Sequence, residues 1–161
     1  EFGDETASGR AQRDHVLLEA LESTYADTLD CPELCGMRET PDVLESHRST
    51  GEFDPTNWWV VLRGGRPRGC MLLSRCPDQQ AFELVYLGLA PEVRGLGLGT
   101  RLLRFGIERC RRLKASWGVI CAVDERNTPA LRLYTGLEFE AIARRVALVR
   151  PVTLPGTGAR A

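Results

Sequence analysis

The sequence predicts an α/β fold in which helices flank a mixed, mostly antiparallel β-sheet. Three observations lead to this class: an amphipathic helical pattern near the N-terminus, three successive strand patterns over residues 58–89, and alternating helix and strand patterns after them. The chain has 161 residues, of which 43% are hydrophobic and 27% charged, as in an ordinary globular domain. We expect one domain over residues 1–150 and an irregular tail over residues 151–161.

The N-terminal third predicts two helices. Leu17, Leu21 and Tyr25 recur at four-residue spacing, which predicts an amphipathic helix over residues 14–29. Residues 1–12 show no regular pattern and are expected to be irregular. Residues 30–40 form a loop, and a proline then suits the first turn of a short helix over residues 41–49.

The middle of the chain predicts a three-strand meander. Residues 58–62 and 69–74 form a hairpin around a Gly-Gly turn, and residues 82–89 form the third strand. Alternation places one of Trp58 and Trp59 in the core and the other outside, without saying which.

The C-terminal half predicts a helix, a strand, a second helix and a last strand. Apolar residues lie on one face of a helix over residues 98–113, and residues 117–123 read as a buried strand. Asn127 is expected to cap a short helix that runs through Tyr134, and residues 139–149 give a final strand.

Charge is unevenly distributed along the chain. Residues 1–57 carry 14 acidic and 4 basic side chains, whereas residues 58–161 carry 17 basic and 8 acidic ones. An anionic ligand is therefore expected on the C-terminal part and a cationic one nearer the N-terminal part. Basic residues do not interleave with aromatic ones as nucleic-acid binding requires, and no apolar run approaches a membrane span of about 18 residues.

Six cysteines occur without any C-x-x-C pair, and only two histidines accompany them, so no metal site is predicted. Cys70, Cys110 and Cys121 lie within apolar patterns and are expected to be core residues of a protein in a reducing, cytoplasmic compartment.

The most informative segment is the glycine loop, residues 94–100, between a strand and a helix. Its glycines allow a close backbone approach, and the N–H groups of the following helix suit an anion such as a pyrophosphate. The spacing G-x-G-x-G departs from the dinucleotide fingerprint G-x-G-x-x-G, and the lysine of the phosphate loop of nucleotide hydrolases is missing.

Two segments resemble motifs of the GNAT superfamily of N-acetyltransferases. Residues 87–99, LGLAPEVRGLGLG, resemble the coenzyme-A loop R/Q-x-x-G-x-G/A with the strand end before it. Residues 127–139, NTPALRLYTGLEF, resemble the family block N-x-x-A-x-x-L-Y-x-x-x-G-F. The resemblance covers about residues 58–148.

Two departures from the family pattern stand out. Glu138 occupies the position before the final aromatic residue where the family usually has glycine. The family also opens with a strand, and residues 1–12 show none, so this strand is either irregular or absent. The short spacing before the first helix also suits the second half of a tandem, mycothiol synthase-like protein.

The resemblance implies an acetyl-CoA-dependent N-acetyltransferase with a sheet splayed in the middle to hold coenzyme A. The acetyl group would move to a primary amine of a small molecule or peptide by direct attack, without a covalent intermediate. We expect a monomer or homodimer, or one domain of a longer chain. The alternative is a non-catalytic acyl-CoA-binding module, such as one half of a tandem acetyltransferase.

The resemblance also implies residues for the coenzyme site. Arg94 and loop amides would surround the pyrophosphate, Leu89 would pair its backbone with the pantetheine arm, and Asn127 would touch that arm. The full set is Leu89, Arg94, Gly95, Leu96, Gly97, Leu98, Gly99, Thr100 and Asn127.

Three residues are expected at the reacting centre. The resemblance implies that the backbone N–H of Leu87 polarises the thioester carbonyl and that the Tyr134 hydroxyl protonates the departing thiolate. Glu83 is the only acidic residue in an apolar strand, where alternation places it on the face of Val85 and Leu87. It resembles the catalytic glutamate of histone acetyltransferases and would be the base for an amine of pKa near 10.

The acceptor side is less clearly defined by the sequence. The resemblance lines it with the loop after the first helix, a tryptophan of residues 58–59, and Arg144 with Arg145. Asp30 and Glu33 would suit a cationic amine there, or would be ordinary loop acids.

Overall fold

The computed structural model describes residues 7–150. It contains a four-stranded sheet between two helical layers. The helices are α1 (Ala7–Tyr25), α2 (Thr40–Arg48), α3 (Leu98–Leu113) and α4 (Thr128–Thr135). The strands are β1 (Trp58–Arg63), β2 (Arg66–Cys76), β3 (Ala81–Leu89) and β4 (Gly118–Ile120).

The sheet has the order β1-β2-β3-β4. The first three strands form an antiparallel meander, and β4 runs parallel to β3. The predicted mixed, mostly antiparallel architecture is therefore confirmed. Among the described residues, no helix is long and apolar enough to cross a membrane.

The sheet splits along β3. This strand pairs with β4 over only three positions, Ala81 to Glu83 against Gly118 to Ile120, whereas it pairs with β2 along its whole length. The register with β2 shifts at Val85, which marks a β-bulge. Since a bulge bends and twists a strand, it helps to separate the second half of β3 from the chain that follows β4.

Each face of the sheet has its own apolar core. Side chains of α1 and α2 pack with β1 and β2 on one face, in a cluster formed by Leu17, Ala20, Leu21, Leu44, Trp58, Cys70 and Leu72. Side chains of α3 pack on the other face, in a cluster formed by Met71, Leu73, Phe82, Leu84, Leu103 and Cys110. Successive residues of β2 enter the two cores in turn, as expected for a strand covered on both faces.

The structure identifies which tryptophan is buried. Trp58 is 3% exposed and belongs to the α1-side core. Trp59 faces α3, where its ring meets Phe105 edge-on at 5.3 Å between centroids. Cys70 and Cys110 are core residues as predicted, whereas Cys121 is only half-buried.

The first helix differs from its predicted bounds at both ends. It already includes residues 7–12, which were expected to be irregular. Ala, Arg and Gln favour helix there, although they carry no apolar periodicity that would reveal it. The helix ends at Tyr25 rather than at residue 29, and Asp27 takes a left-handed φ of 53° that cannot continue it. Residues 1–6 and the predicted tail, 151–161, lie outside the described residues.

The predicted last strand is wrong. Residues 139–150 have no regular structure, and Ile142, Val146 and Leu148 are at least 85% exposed. The strand predicted over 117–123 is also reduced to three partly exposed residues in β4. An alternating pattern becomes a strand only when its backbone finds a paired edge, and a three-residue strand offers few groups to pair with.

The turn before residue 139 explains one departure from the family motif. Glu138 has a φ of 64°, in the left-handed region where glycine is favoured. The turn is therefore retained without its usual glycine, at a backbone cost of about 1–2 kcal/mol.

Candidate functional site

The glycine loop leads from the end of β3 into α3. Gly95 and Gly97 have φ values of 73° and 72°, and Gly97 is the N-cap of α3. A Cβ added at either glycine would meet no heavy atom within 4 Å. The loop is exposed, so any side chain placed there would project into the open space in front of the helix.

This loop presents a row of unpaired backbone donors. The helical hydrogen bonds begin where the Arg101 N–H donates to Gly97 O at 3.1 Å. The N–H groups of residues 98–100 therefore have no intrahelical acceptor. In the part of the chain that the structure describes, those of residues 95–97 have no protein acceptor either. Six donors at the positive end of a helix dipole fit a diphosphate group.

The Arg94 side chain is held by backbone carbonyls in this structure. Its guanidinium donates to four backbone carbonyls: Leu89 O at 2.8 Å, Ala26 O at 2.7 Å, Thr24 O at 3.1 Å and Asp27 O at 3.2 Å. Its own N–H donates to Pro91 O. Arg94 therefore ties the C-terminal end of α1 to the end of β3, because helix-end carbonyls attract a cation. Its side chain does not point at the loop amides.

The predicted strand residues lie along the split. Leu87 pairs with Met71 of β2 and Leu89 with Gly69, and neither is paired on the β4 side. The opening between β3 and the chain after β4 is thus bordered by the backbone of this half of β3. An extended ligand can add to such an edge in the manner of a strand.

Tyr134 projects from α4 into the core on the α3 side. The Asn127 Oδ1 accepts from the Ala130 N–H at 3.2 Å, so Asn127 caps α4 as predicted. The Tyr134 ring lies 5.5 Å from that of Phe139, and burial raises the pKa of its hydroxyl, with Cys121 and Asp30 adding to the effect. The hydroxyl therefore stays protonated well above neutral pH.

Glu83 does not share a face with Leu87. Phe82, Leu84 and Leu87 pack in the α3-side core, whereas Val85 packs in the α1-side core. Alternation along residues 82–84 then places Glu83 on the α1 face with Val85, and the bulge at Val85 reverses the alternation before Leu87. That part of the prediction is wrong, because sequence alternation carries no sign of a bulge.

The surroundings of Glu83 are acidic. It is half-buried and lines a surface depression together with Glu52 and Asp78. The Cys76 thiol donates weakly to Glu83 Oε2 at 3.8 Å, and burial followed by the Glu83 charge raises the pKa of that thiol. Among the described residues, no group of three or more His, Cys, Asp or Glu side chains could hold a metal ion.

The loop after α1 is held against the chain before α4. Arg126 forms a two-pronged ion pair with Glu33, with N–O distances of 2.6 and 2.9 Å, and also contacts Asp124. The Arg126 guanidinium lowers the pKa of Glu33 to about 2. Glu33 is therefore already paired with a cation of the protein itself, while Asp30 forms no ion pair within residues 7–150.

Sequence reasoning missed Asp124 and Arg126. They lie just before the Asn127 cap in a short polar turn, and nothing in their sequence spacing indicates that they form ion pairs with a distant loop. Arg144 and Arg145, which were considered for the acceptor side, are exposed in the irregular segment 139–150.

The fold and the loop together define an α/β protein with a row of free N–H groups at the start of α3, beside a sheet whose last two strands pair over only three positions. The model of the acetyltransferase (GNAT) family matches residues 20–139. The chain therefore belongs to this family, and the resemblance stated from its two motifs is confirmed.

Curated relatives carry the name mycothiol acetyltransferase. The protein of Thermomonospora curvata is 34% identical over 112 residues, which are 70% of this chain and 37% of that protein. The protein of Acidothermus cellulolyticus is 40% identical over 130 residues, 70% of this chain and 39% of that protein. The chain thus spans little more than a third of the length of the curated relatives it matches.

Solved acetyltransferases share the fold. A ribosomal-protein-alanine N-acetyltransferase from Brucella melitensis has a TM-score of 0.59 and 19% identity, covering 82% of both chains. An acetyltransferase from Bacillus subtilis, solved in complex with CoA, has a TM-score of 0.58 and 20% identity over 89% of this chain and 76% of that one. The protein PH1933 from Pyrococcus horikoshii has a TM-score of 0.61 and 15% identity, covering 91% of this chain and 90% of that one.

Proposed function

We propose that this chain is an acetyl-CoA-dependent N-acetyltransferase that transfers an acetyl group to a primary amine of a small molecule or peptide. The observation that carries the proposal is the row of free N–H groups over residues 95–100, opening onto the split between β3 and β4. Membership of the acetyltransferase (GNAT) family supports it.

In this proposal the coenzyme is held mainly by backbone groups. The amides of Gly95 to Thr100 bind the pyrophosphate, which carries two negative charges. The unpaired edge of β3 near Leu89 binds the extended pantetheine arm, and Asn127 borders it from the start of α4. Arg94 contributes by fixing the Leu89 carbonyl rather than by contacting phosphate.

Acetyl-CoA supplies an activated thioester, and the chain's residues orient it and move protons. The Leu87 N–H is the donor proposed to polarise the thioester carbonyl. A backbone N–H lies in the plane of the sheet, so this role does not depend on the face of the Leu87 side chain. Tyr134, kept protonated by burial, donates a proton to the leaving thiolate.

Glu83 is proposed as the base that removes a proton from the amine. Its position on the α1 face places it on the same side of the sheet as the helix-loop-helix formed by α1, α2 and the loop between them. The amine would approach from that side and attack directly, without an intermediate on the enzyme.

The test is release of free thiol from acetyl-CoA in the presence of a panel of small primary amines and peptides. Amine-dependent release, lost in Tyr134→Phe, supports the proposal. Calorimetric binding of coenzyme A without release for any amine would favour a non-catalytic acyl-CoA-binding module instead. Absence of both binding and release would contradict either function.

We also propose a cytoplasmic location, which the six free thiols at residues 31, 35, 70, 76, 110 and 121 support. The proposed state is a monomer or homodimer, or one half of a longer tandem protein. The length of the curated relatives supports the last of these.

A further inference from the structure

Two loops that are more than 90 residues apart in sequence are joined by a small charged network. It consists of Asp30 and Glu33 from the α1–α2 connection and Asp124 and Arg126 from the β4–α4 connection. We call this network the loop clamp. Arg126 is its only cation, and its guanidinium contacts both Glu33 and Asp124.

Backbone hydrogen bonds give the loop clamp a fixed geometry. The Asp124 N–H donates to Asp30 Oδ1 at 2.8 Å, and the Cys31 N–H donates back to Asp124 Oδ2 at 3.2 Å. The Arg126 N–H donates to Asp124 Oδ1 at 2.8 Å. The Asp124 side chain is only 9% exposed, although its ion-pair partner Arg126 is 58% exposed.

The clamp also holds an unfavourable backbone conformation. Cys31 has a φ of 47° and a ψ of 57°, in the left-handed region, and it is the residue whose N–H bonds to Asp124. A non-glycine residue in this region costs about 1–2 kcal/mol, so it persists where its surroundings fix it.

The position of the clamp connects it to the proposed chemistry. Arg126 directly precedes the Asn127 cap of α4, the helix that carries Tyr134. Asp30 and Glu33 belong to the loop after α1, on the side proposed for the amine. The clamp therefore fixes the distance between the acceptor loop and the helix of the proposed acid.

We propose that Arg126 is a positioning residue for the amine acceptor, holding residues 30–34 against the start of α4 so that Asp30 faces the reacting centre. This inference rests on the proposed function and adds to it. Arg126 forms ion pairs with Glu33 and Asp124, whereas Asp30 forms no ion pair within residues 7–150 and is proposed as the partner for a cationic amine.

The loss of Arg126 is expected to act locally. Exposed ion pairs contribute about 0.2–1 kcal/mol each, so Arg126→Gln should fold. The remaining carboxylates of Asp30, Glu33 and Asp124 would then repel one another, and the loop would open more often.

Labelling of Cys31 with iodoacetamide, read by mass spectrometry, measures this opening without any assay of activity. Exposed Cys35 in the same molecule is the internal reference. Burial and the nearby carboxylates raise the pKa of the Cys31 thiol, and Arg126 partly offsets them, so labelling rates are compared after normalisation to the thiolate fraction from a pH series. Arg126→Gln should raise the normalised Cys31 rate relative to Cys35 by about 5-fold, as expected for the loss of exposed ion pairs. Glu33→Gln should give a smaller increase, because it breaks only one of the two ion pairs of Arg126. The double variant should match Arg126→Gln alone, because the Glu33 pair is already lost when Arg126 is replaced.

Arg111→Gln is the matched control. Arg111 forms the same two-pronged pair with Glu108 on the exposed side of α3, with N–O distances of 2.8 and 3.0 Å. It should leave Cys31 labelling unchanged. Labelling in Arg126→Gln that equals that of Arg111→Gln would overturn the clamp.

The acceptor role is tested by steady-state kinetics with 1,5-diaminopentane as the amine probe. Arg126→Gln should raise the KM for the amine by about 5-fold and leave the KM for acetyl-CoA unchanged, with partial recovery in Arg126→Lys. Faster labelling with an unchanged amine KM would overturn the acceptor role. A wild-type chain that binds coenzyme A but acetylates no amine would contradict the proposed function itself, and labelling would still measure the clamp.

Discussion

The glycine loop and the loop clamp serve the two substrates of the proposed reaction by different means. In the proposed function the glycine loop binds coenzyme A through backbone N–H groups of consecutive residues, and its glycines leave the space in front of them open. The loop clamp depends on the charged side chains of four residues from two distant segments, which pair with each other and accept backbone N–H groups. A backbone site depends on local conformation, whereas a side-chain site depends on how the whole chain folds. Substitutions should therefore affect the two regions differently.

The largest expected effect is loss of coenzyme A binding in Gly97→Glu. The new carboxylate would project in front of the free amides and repel the diphosphate, so calorimetry should show affinity reduced by at least about 100-fold, or about 2.7 kcal/mol. Gly64→Glu is the control, because Gly64 also has a positive φ and open space but lies in the β1–β2 turn. Both variants should lose similar stability, and only Gly97→Glu should lose binding. Equal affinity in the two variants would remove the loop from the coenzyme site.

The next effect is on turnover. Tyr134→Phe removes one hydroxyl and little volume, and kcat should fall by about 100-fold while coenzyme A affinity changes little. Because burial raises the pKa of Tyr134, the wild-type rate should show no decline from its ionisation near pH 10. A variant that retains the wild-type kcat would leave Tyr134 as a core residue only.

Two carboxylates on the acceptor side provide a sharper comparison. Glu83→Gln should lower the rate at neutral pH, and the loss should shrink as the pH approaches the amine pKa of about 10, where the amine needs no base. Asp30→Asn should instead raise the KM for the amine with a smaller effect on kcat. pH–rate profiles of both variants test this assignment. If Asp30→Asn shows the pH-dependent loss of rate and Glu83→Gln raises the KM for the amine, Asp30 is the base and Glu83 only lines an acidic surface depression.

The smallest effect concerns Arg94, which joins the end of α1 to the end of β3 before the glycine loop. Arg94→Gln breaks bonds to carbonyls of α1 and β3, and the free energy of unfolding should fall by about 1–2 kcal/mol, as expected for a charged donor. Thermal denaturation would show this as a drop in Tm of about 2–6 °C. Coenzyme A affinity should change by less than about 3-fold, the equivalent of about 0.6 kcal/mol. A large loss of affinity with unchanged Tm would restore Arg94 as a phosphate ligand.

Sequence reasoning identified the features that depend on neighbours in the chain. The helix over residues 98–113, the hairpin turn at residues 64–65 and the Asn127 cap follow from local periodicity, turn chemistry and capping, and all three are observed. The position of the glycine loop between a strand and a helix was predicted for the same reason, since its free N–H groups belong to consecutive residues.

The misplaced predictions depended on contacts with distant parts of the chain. Residues 139–149 have a strand pattern, but their backbone finds no paired edge. Likewise, only the fold shows that the Arg94 side chain bonds to carbonyls at the end of α1. The face of Glu83 was misassigned because a one-residue bulge at Val85 reverses the alternation.

The sequence by itself therefore determined the fold class, the family and the glycine-rich start of α3, because each depends on short-range patterns of glycine, apolar and capping residues. The tertiary structure alone decided where the sheet splits, which side chains face the split and how Arg126 joins two loops. These features arise from pairing and packing between segments far apart in sequence, where a change of one residue in register or the presence of one partner changes the outcome.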